Sequence, residues 1–201
     1  GKLYLPNLKT SIASADLLGG EPPVSIEHRK QGDWTVLEIP PRAPEKLVSV
    51  IELKLESDPE VDPIWSLDPN IETEILAEFA EVTGVNKSEK RWMEKFGEWK
   101  GVVHAHGFRQ GGKASWEIDV LQPGDYNVGL TYAGEGRLVW GVAIEGGEHI
   151  QNQQNSSHNY QSFPIGWLNF PKAGRYEVSV VCLEGKIESA SLKSIQFTPL
   201  Y

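Results

Sequence analysis

Apolar and polar residues alternate along much of this chain, a spacing that predicts β-strands with one buried face. Residues 116–120 (WEIDV) show the alternation most clearly, and residues 126–132 (YNVGLTY) repeat it after the turn at 122–125. Residues 137–144 are instead largely apolar on both faces, as in a strand inside a sandwich. Because turn residues separate these segments, the pattern predicts an all-β protein.

The pattern in the N-terminal part of the chain predicts a thinner β-sheet than in the rest. Residues 3–55 contain four or five short strand-like segments, and so thin a sheet needs a partner layer over its apolar face. Residues 57–63 are acidic and contain proline with almost nothing to bury, which predicts a linker. We therefore expect two β-sandwich units, at residues 1–56 and 64–201.

Three further segments give weaker signals. Residues 71–82 fit both helical and strand spacing, and the surrounding strands favour a strand. Residues 88–98 are compatible with a short helical turn. Residues 149–162 (HIQNQQNSSHNYQS) are polar and rich in amides without apolar periodicity, which predicts a loop. A loop of this length in a compact domain is uncommon unless it has a function.

Composition narrows the classes of partner. The net charge of −9, without a cluster of Lys and Arg, argues against nucleic acid and anionic membranes, because both require a positive surface. No segment has the roughly 20 apolar residues of a transmembrane helix. The lone Cys182 lies in an apolar run, which predicts a buried thiol and excludes an intrachain disulfide. Seven Trp in 201 residues are unusual, and exposed Trp and Tyr rings commonly hold sugars.

The polar segment 149–162 and its neighbours supply candidate sugar-binding residues. Asn155, His158 and Tyr160 carry donors and acceptors suited to vicinal hydroxyl groups, Trp167 follows soon after, and Trp140 lies on a central strand. A sugar site combines a flat aromatic ring with two or three such polar groups. The alternative is a solvated loop whose Asn and Ser side chains cap turns, with Trp140 in the core. The sequence leaves both interpretations open.

Metal binding finds little support in the sequence. His104 and His106 would share one face of a strand, but zinc needs a third protein ligand and none has suitable spacing. Glu72, Glu74 and Glu78 could supply oxygens to calcium, yet the last strand offers no carboxylate. We interpret both groups as solvated surface residues and expect no metal site.

Independent catalysis is not predicted either. The chain has no G-x-S-x-G motif and no ordered Ser, His and Asp spacing. Carboxylate pairs such as Glu94 and Glu98 are expected by chance at this composition. We therefore predict no catalytic residue and no cofactor.

Two sets of motifs carry a resemblance to a known family. The motifs LPNLKTSIASADLLGG and VSIEHRKQGDWTVLEIPPRAPEKLVSVIELKL, within residues 3–55, resemble the C-terminal sandwich of α-L-fucosidases. The motifs ILAEFAEVTG, FGEWKG, SWEIDVLQPGDYNVGLTYA and KAGRYEVSVV resemble modules that follow this sandwich in some bacterial members. They are also similar to jelly-roll carbohydrate-binding modules.

The resemblance implies a non-catalytic, C-terminal accessory region of an α-L-fucosidase-like glycoside hydrolase. Residues 1–56 would be the distal part of the sandwich that packs on a catalytic barrel, and residues 64–201 a jelly-roll module. The barrel, with the two carboxyl groups of a retaining enzyme, would precede residue 1, so this chain alone should have no fucosidase activity. The implied partners are glycans, including fucosylated ones, and that barrel. The parent enzyme would be secreted or periplasmic.

Three roles for the chain remain open at this point. The second unit could bind glycans and hold the parent enzyme near its substrate. It could instead be purely architectural, packing on the barrel or mediating oligomerisation. In the third case, a loop would reach over the mouth of the barrel and help to select the sugar.

Overall fold

The computed structural model describes residues 1–19, 22–43 and 47–200, and its fold is all-β, as predicted. Parts of the fucosidase-like motifs, at positions 20 and 44–46, lie outside these residues. The chain divides into two compact units, Gly1–Ser66 and Leu67–Tyr201. Strand β7 (Trp65–Leu67) spans the boundary between them. No helix in the described part is long and apolar enough to cross a membrane.

The first unit consists of short antiparallel strands around a small core. Its described strands form two sheets, with the orders β1-β5-β4 and β3-β2-β6. Ala15, Leu17, Ile26 and Leu37 form a buried apolar cluster between them. The strands are β1 (Lys2–Pro6), β2 (Ile12–Leu17), β3 (Val24–Ser25), β4 (Glu27–Gln31), β5 (Trp34–Glu38) and β6 (Ile51–Leu55).

The segment that follows β6 runs along the same unit through backbone contacts. The Lys9 amide donates to the Glu60 carbonyl at 2.8 Å, and the Asp62 amide donates to the Asn7 carbonyl at 3.0 Å. Thr10 Oγ1 donates to the Asp58 carbonyl at 3.0 Å. These bonds fix the path of the acidic segment, which has few apolar groups to bury.

The second unit is a jelly-roll-like sandwich of two antiparallel sheets. The front sheet has the order β10-β11-β18-β13-β16, with β8 also paired to β18. The back sheet contains β15-β14-β17-β12, with β9 also paired to β12. The strands are β8 (Thr73–Leu76), β9 (Glu81–Thr83), β10 (Asn86–Lys95), β11 (Glu98–His106), β12 (Lys113–Val120), β13 (Gly124–Ala133), β14 (Gly136–Ile144), β15 (His149–Ser156), β16 (Gln161–Phe170), β17 (Gly174–Gly185) and β18 (Ser191–Pro199).

Aromatic side chains fill the space between the two sheets. The Trp140 ring of the back sheet lies 5.0 Å from the Tyr132 ring of the front sheet and 5.1 Å from Phe108. Tyr126 and Phe170 make a second edge-to-face pair at 5.5 Å. Such pairs add to the hydrophobic stabilisation of the core.

The segment 149–162 is mostly a strand, so the predicted loop is wrong. Strand β15 (His149–Ser156) pairs with β14 along its whole length, and only residues 157–160 connect it to β16. The strand lies at the sheet edge, where alternate residues are only half-buried. Amide side chains are stable at such half-buried positions because they can still contact water. The strand therefore lacks the apolar alternation that marks an interior strand.

The helical turn considered at 88–98 is also wrong. Strands β10 and β11 form a long hairpin whose turn is Phe96-Gly97, with Gly97 at φ 82°. Most of this hairpin is exposed on both faces, so it has no alternation to reveal it. The strand predicted within 71–82 is confirmed at β8 and β9, which a 3₁₀ turn at Ala77–Phe79 separates.

Candidate functional site

The outer face of the front sheet is polar in its central strands. Alternation along β13 and β18, interrupted by a bulge at Lys193, sends their apolar residues into the core and leaves small or polar residues on the opposite face. The outward residues are Asn127, Gly129 and Thr131 on β13, and Ser194, Gln196 and Thr198 on β18.

A groove of about 470 Å³ crosses this face. The strand register places Trp167 of β16 opposite Asn127 of β13, and Asn127 opposite Thr198 of β18. Thr198 Oγ1 donates to Glu72 Oε2 at 3.1 Å, so Glu72 continues the row beyond β18. Neighbouring strands lie roughly 4.8 Å apart, which makes this row roughly 14 Å long. The indole at its end is 53% exposed.

A second row of side chains, parallel to the first, forms a hydrogen-bond network. Gln196 Nε2 donates to Thr131 Oγ1 at 2.8 Å and to Ser194 Oγ at 2.7 Å. Ser194 Oγ donates to Glu74 Oε1 at 2.6 Å, and the hydroxyls of Thr131 and Ser162 lie 2.7 Å apart. Because each side chain is held by its neighbours, the polar groups beside the groove are fixed before any ligand arrives.

Gln196 and Gly129 together shape the floor of the groove. Gln196 is 9% exposed, and its Oε1 makes no hydrogen bond to a described residue. A Cβ at position 129 would lie 3.1 Å from that oxygen, closer than an ordinary van der Waals contact, so the glycine lets the two strands fit together here.

A second pocket, of about 320 Å³, lies around Tyr160 and three histidines. The Tyr160 and Ser191 hydroxyls are 2.7 Å apart, and the His104 and His106 rings lie 5.0 Å apart, as expected for neighbours on one face of β11. Burial, the adjacent His106 and the Lys90 ammonium lower the pKa of His104. This pocket therefore combines an imidazole with a lowered pKa and the Lys90 side chain that also lines it. In the described part of the chain, no three His, Cys, Asp or Glu side chains are grouped to hold a metal ion.

The structure separates the five predicted sugar-binding residues. Trp167 lines the groove, while His158 and Tyr160 line the second pocket. Asn155 is exposed on edge strand β15, opposite Arg137. Trp140 has no exposed surface, and a sugar cannot reach it. The prediction for Trp140 is wrong because its strand lies between two others, with this side chain pointing into the core.

Most of the residues around Trp167 were not predicted from the sequence. Asn127 is a polar position within the alternation of residues 126–132, so its outward direction was readable from the sequence. Glu72 and Thr198 are 126 residues apart in the chain, and only the sheet topology brings them together. Glu72 had been considered only as a calcium ligand or a solvated carboxylate.

Comparisons with known proteins identify the fold. No protein-family model matches the sequence, and no curated protein matches it. Among solved structures, the α-L-fucosidase of Vibrio sp. strain EJY3 is similar over 98% of this chain and 36% of its own, with 15% identity and a TM-score of 0.53. A carbohydrate-binding module of Cellvibrio mixtus lichenase 5A, in complex with cellotriose, is similar over 65% of this chain and 99% of its own, with 14% identity and a TM-score of 0.51.

The same architecture also occurs in a protein of another kind. A mosquito-larvicidal toxin of Bacillus thuringiensis is similar over 94% of this chain and 30% of its own, with 12% identity and a TM-score of 0.55. This chain therefore spans about a third of the fucosidase and of the toxin. At such identities the likeness shows the fold alone, and function has to be argued from the site.

Proposed function

We propose that this chain is a non-catalytic accessory module that binds carbohydrate in the groove of its front sheet. The observation that carries this proposal is the exposed Trp167 indole at the end of a row formed by Asn127, Thr198 and Glu72. The face of an indole packs on the C–H face of a sugar ring. Amide, hydroxyl and carboxylate groups beside it exchange hydrogen bonds with the sugar hydroxyls.

The groove favours a neutral, extended ligand. It is shallow and crosses several strands, so a short oligosaccharide would bind along it with one ring on Trp167. The neighbouring hydrogen-bond network already holds the polar side chains in place. Few side chains therefore lose conformational freedom when a ligand binds, which reduces the entropic cost of binding. A single aromatic platform of this kind supports millimolar to high-micromolar dissociation constants, or about 4–6 kcal/mol of binding free energy.

The parent protein is, in this proposal, an α-L-fucosidase-like glycoside hydrolase acting outside the cytoplasm. The fucosidase-like motifs of residues 3–55 and the fold likeness over almost the whole chain support this assignment. The module would keep the catalytic barrel close to a glycan, because tethering raises the local substrate concentration without improving either binding site. Fucosylated oligosaccharides should then bind more tightly than the same chains without fucose.

Calorimetric titration with fucosylated, galactosylated and β-glucan oligosaccharides tests the proposal. Trp167→Ala should weaken binding of the preferred sugar by at least about tenfold, or ~1.4 kcal/mol, whereas Trp167→Phe should retain most of it. Tyr160→Ala, in the second pocket, should leave the affinity unchanged. Loss of binding in Tyr160→Ala with retention in Trp167→Ala would move the site to the second pocket. Absence of binding to every sugar at millimolar concentrations would overturn the function.

A further inference from the structure

The side chains of β16 change face partway along the strand. In its first half the outward side chains stand at even positions, and Ser162 and Pro164 are exposed. In its second half they stand at odd positions, where Trp167 is exposed. The buried side chains change in the same way, from Ile165 to Leu168. A regular strand alternates without such a change, so β16 must be irregular between these residues.

The register with β13 shows that the irregularity is a β-bulge. Residues 128–129 of β13 lie opposite Gly166 and Pro164, respectively, so Ile165 has no partner on β13. A bulge inserts one extra residue into one strand of an antiparallel pair, which exchanges the faces of all later side chains. This extra residue brings Trp167 to the outer face, where the groove lies.

The residues at the bulge suit its backbone. Gly166 has a φ of 156°, a conformation that residues with a side chain rarely adopt. Pro164 has no N–H group to leave unpaired, and bulges are among the few places in a sheet where proline occurs. The sequence Pro-Ile-Gly therefore favours the irregularity locally.

The edge strand of the back sheet holds the bulge from the other side. Asn152 Nδ2 donates to the Pro164 carbonyl at 2.8 Å. A Cβ at position 166 would lie 3.3 Å from the Ile150 side chain, so the glycine backbone packs closely on it. Ile150 and Asn152 are two residues apart on β15 and therefore lie on one face of that strand.

Two further contacts define the role of Asn152. Its Oδ1 accepts from the Gln153 amide at 2.7 Å, which leaves Nδ2 to donate to Pro164. Strand β16 is last in its sheet order, so its outer edge has no ladder of backbone hydrogen bonds to another described strand. The Asn152 side chain supplies a donor at this edge, three residues before Trp167.

We propose that Asn152 is a positioning residue for carbohydrate binding, because it holds the bulge that sets the direction of the Trp167 indole. Asn152 belongs to the back sheet and does not line the groove, so it acts through the bulge and not by contact with the sugar. The inference rests on the proposed function of the groove. The order of the indole, however, can be measured without a ligand.

The direction of the indole matters because a sugar packs on the face of the ring and not on its edge. When the donor is lost, the Pro164 carbonyl must find water, and the backbone that carries Trp167 gains freedom. Binding then has to restore the order that the hydrogen bond supplied, which lowers the affinity.

Replacement of Asn152 in the full chain tests the proposal. Asn152→Ala removes the donor, and Asn152→Asp places a carboxylate against the Pro164 carbonyl. Both should weaken binding of the preferred oligosaccharide by about three- to tenfold, as expected for one lost hydrogen bond. Gln154→Ala, at the next amide on the same face of β15, is the matched control and should keep the affinity within about twofold.

The mobility of the Trp167 indole distinguishes positioning from a purely structural role. Without any sugar, the heteronuclear Overhauser effect of the indole ¹⁵N should fall in both Asn152 variants and stay unchanged in Gln154→Ala. Lower stability alone does not change this value in a chain that stays folded, which circular dichroism checks. The indole of Trp92, far along another strand, serves as the internal reference.

Unchanged affinity and an unchanged indole in both Asn152 variants would overturn the proposal. An equal loss of affinity in Gln154→Ala would also do so, because it would indicate a general loosening of β15. Trp167→Ala, measured alongside, separates the two claims. If it retains full affinity, the proposed function fails and this inference fails with it. If it loses affinity while the Asn152 variants keep theirs, only this inference fails.

Discussion

Tryptophan stabilises the core at one position of this chain and lines the groove at another, and the direction of the side chain on its strand determines the difference. Trp140 and Trp167 both lie on long strands of the second unit. The side chain of Trp140 points between the sheets, where it contacts Tyr132 and Phe108, whereas Trp167 points away from them. Both were sugar-binding candidates from the sequence, because residue type alone does not give the direction of a side chain.

Replacing Trp140 should therefore damage the fold. Trp140→Ala is expected to lower the free energy of unfolding of the second unit by about 3–5 kcal/mol, because it leaves a cavity that the sheets cannot close. Urea denaturation followed by far-ultraviolet circular dichroism measures the loss. Trp167→Ala serves as the matched control and should cost no more than about 1 kcal/mol. A loss below 1 kcal/mol for Trp140→Ala would contradict its place in the core.

The thiol of Cys182 should be unreactive in the folded chain. Burial between the sheets raises the pKa of this thiol to about 12, so almost no thiolate forms at pH 8. Labelling with a maleimide at pH 8 should be negligible for the native protein and complete in guanidinium chloride. Rapid labelling without denaturant would show that β17 opens easily, contrary to the packing described above.

At the scale of elements, hydrophobic alternation predicts strands only where a strand buries one face. Strands β12 and β13 pack on the core and were predicted from their spacing. Strand β10 and most of β11 form an exposed arm, and β15 is a polar edge strand, so none of the three shows the pattern. These strands are held by backbone hydrogen bonds, which do not depend on the order of apolar and polar side chains.

Strand β13 offers a test of the groove that spares the core. Gly129 faces outward, and its φ lies outside the left-handed region, so a side chain there is not strained by the backbone. Gly129→Val should fill the groove floor above Gln196 and reduce glycan affinity at least about tenfold, with Gly129→Ala giving a smaller loss. Because the new Cβ crowds the network-held Gln196, both variants should also lower the free energy of unfolding, by about 1–2 kcal/mol, and circular dichroism should confirm that they remain folded. Full affinity in Gly129→Val would show that the ligand does not enter the groove.

At the scale of the whole molecule, fold class was predictable but the site was not. Composition and alternation indicated an all-β sandwich, and one of the five candidate residues, Trp167, lines the groove. The residues that complete the groove come from strands that are distant in sequence, and strand order is not encoded in local periodicity. Glu72 reaches Thr198 only because β8 pairs with the last strand. The sequence alone therefore predicted the aromatic residue Trp167 but not the groove around it.

The central claim is that the groove of the front sheet binds carbohydrate. Its most direct test is a nuclear magnetic resonance titration of the ¹⁵N-labelled chain with the oligosaccharide that binds most tightly in calorimetry. The indole N–H of Trp167 and the side-chain amides of Asn127 and Gln196 should shift together and saturate at one dissociation constant. The indole signals of Trp92 and Trp99, in the arm, should not move. Saturable shifts confined to His106, Tyr160 and Ser191, or no shifts at all, would contradict carbohydrate binding on this face.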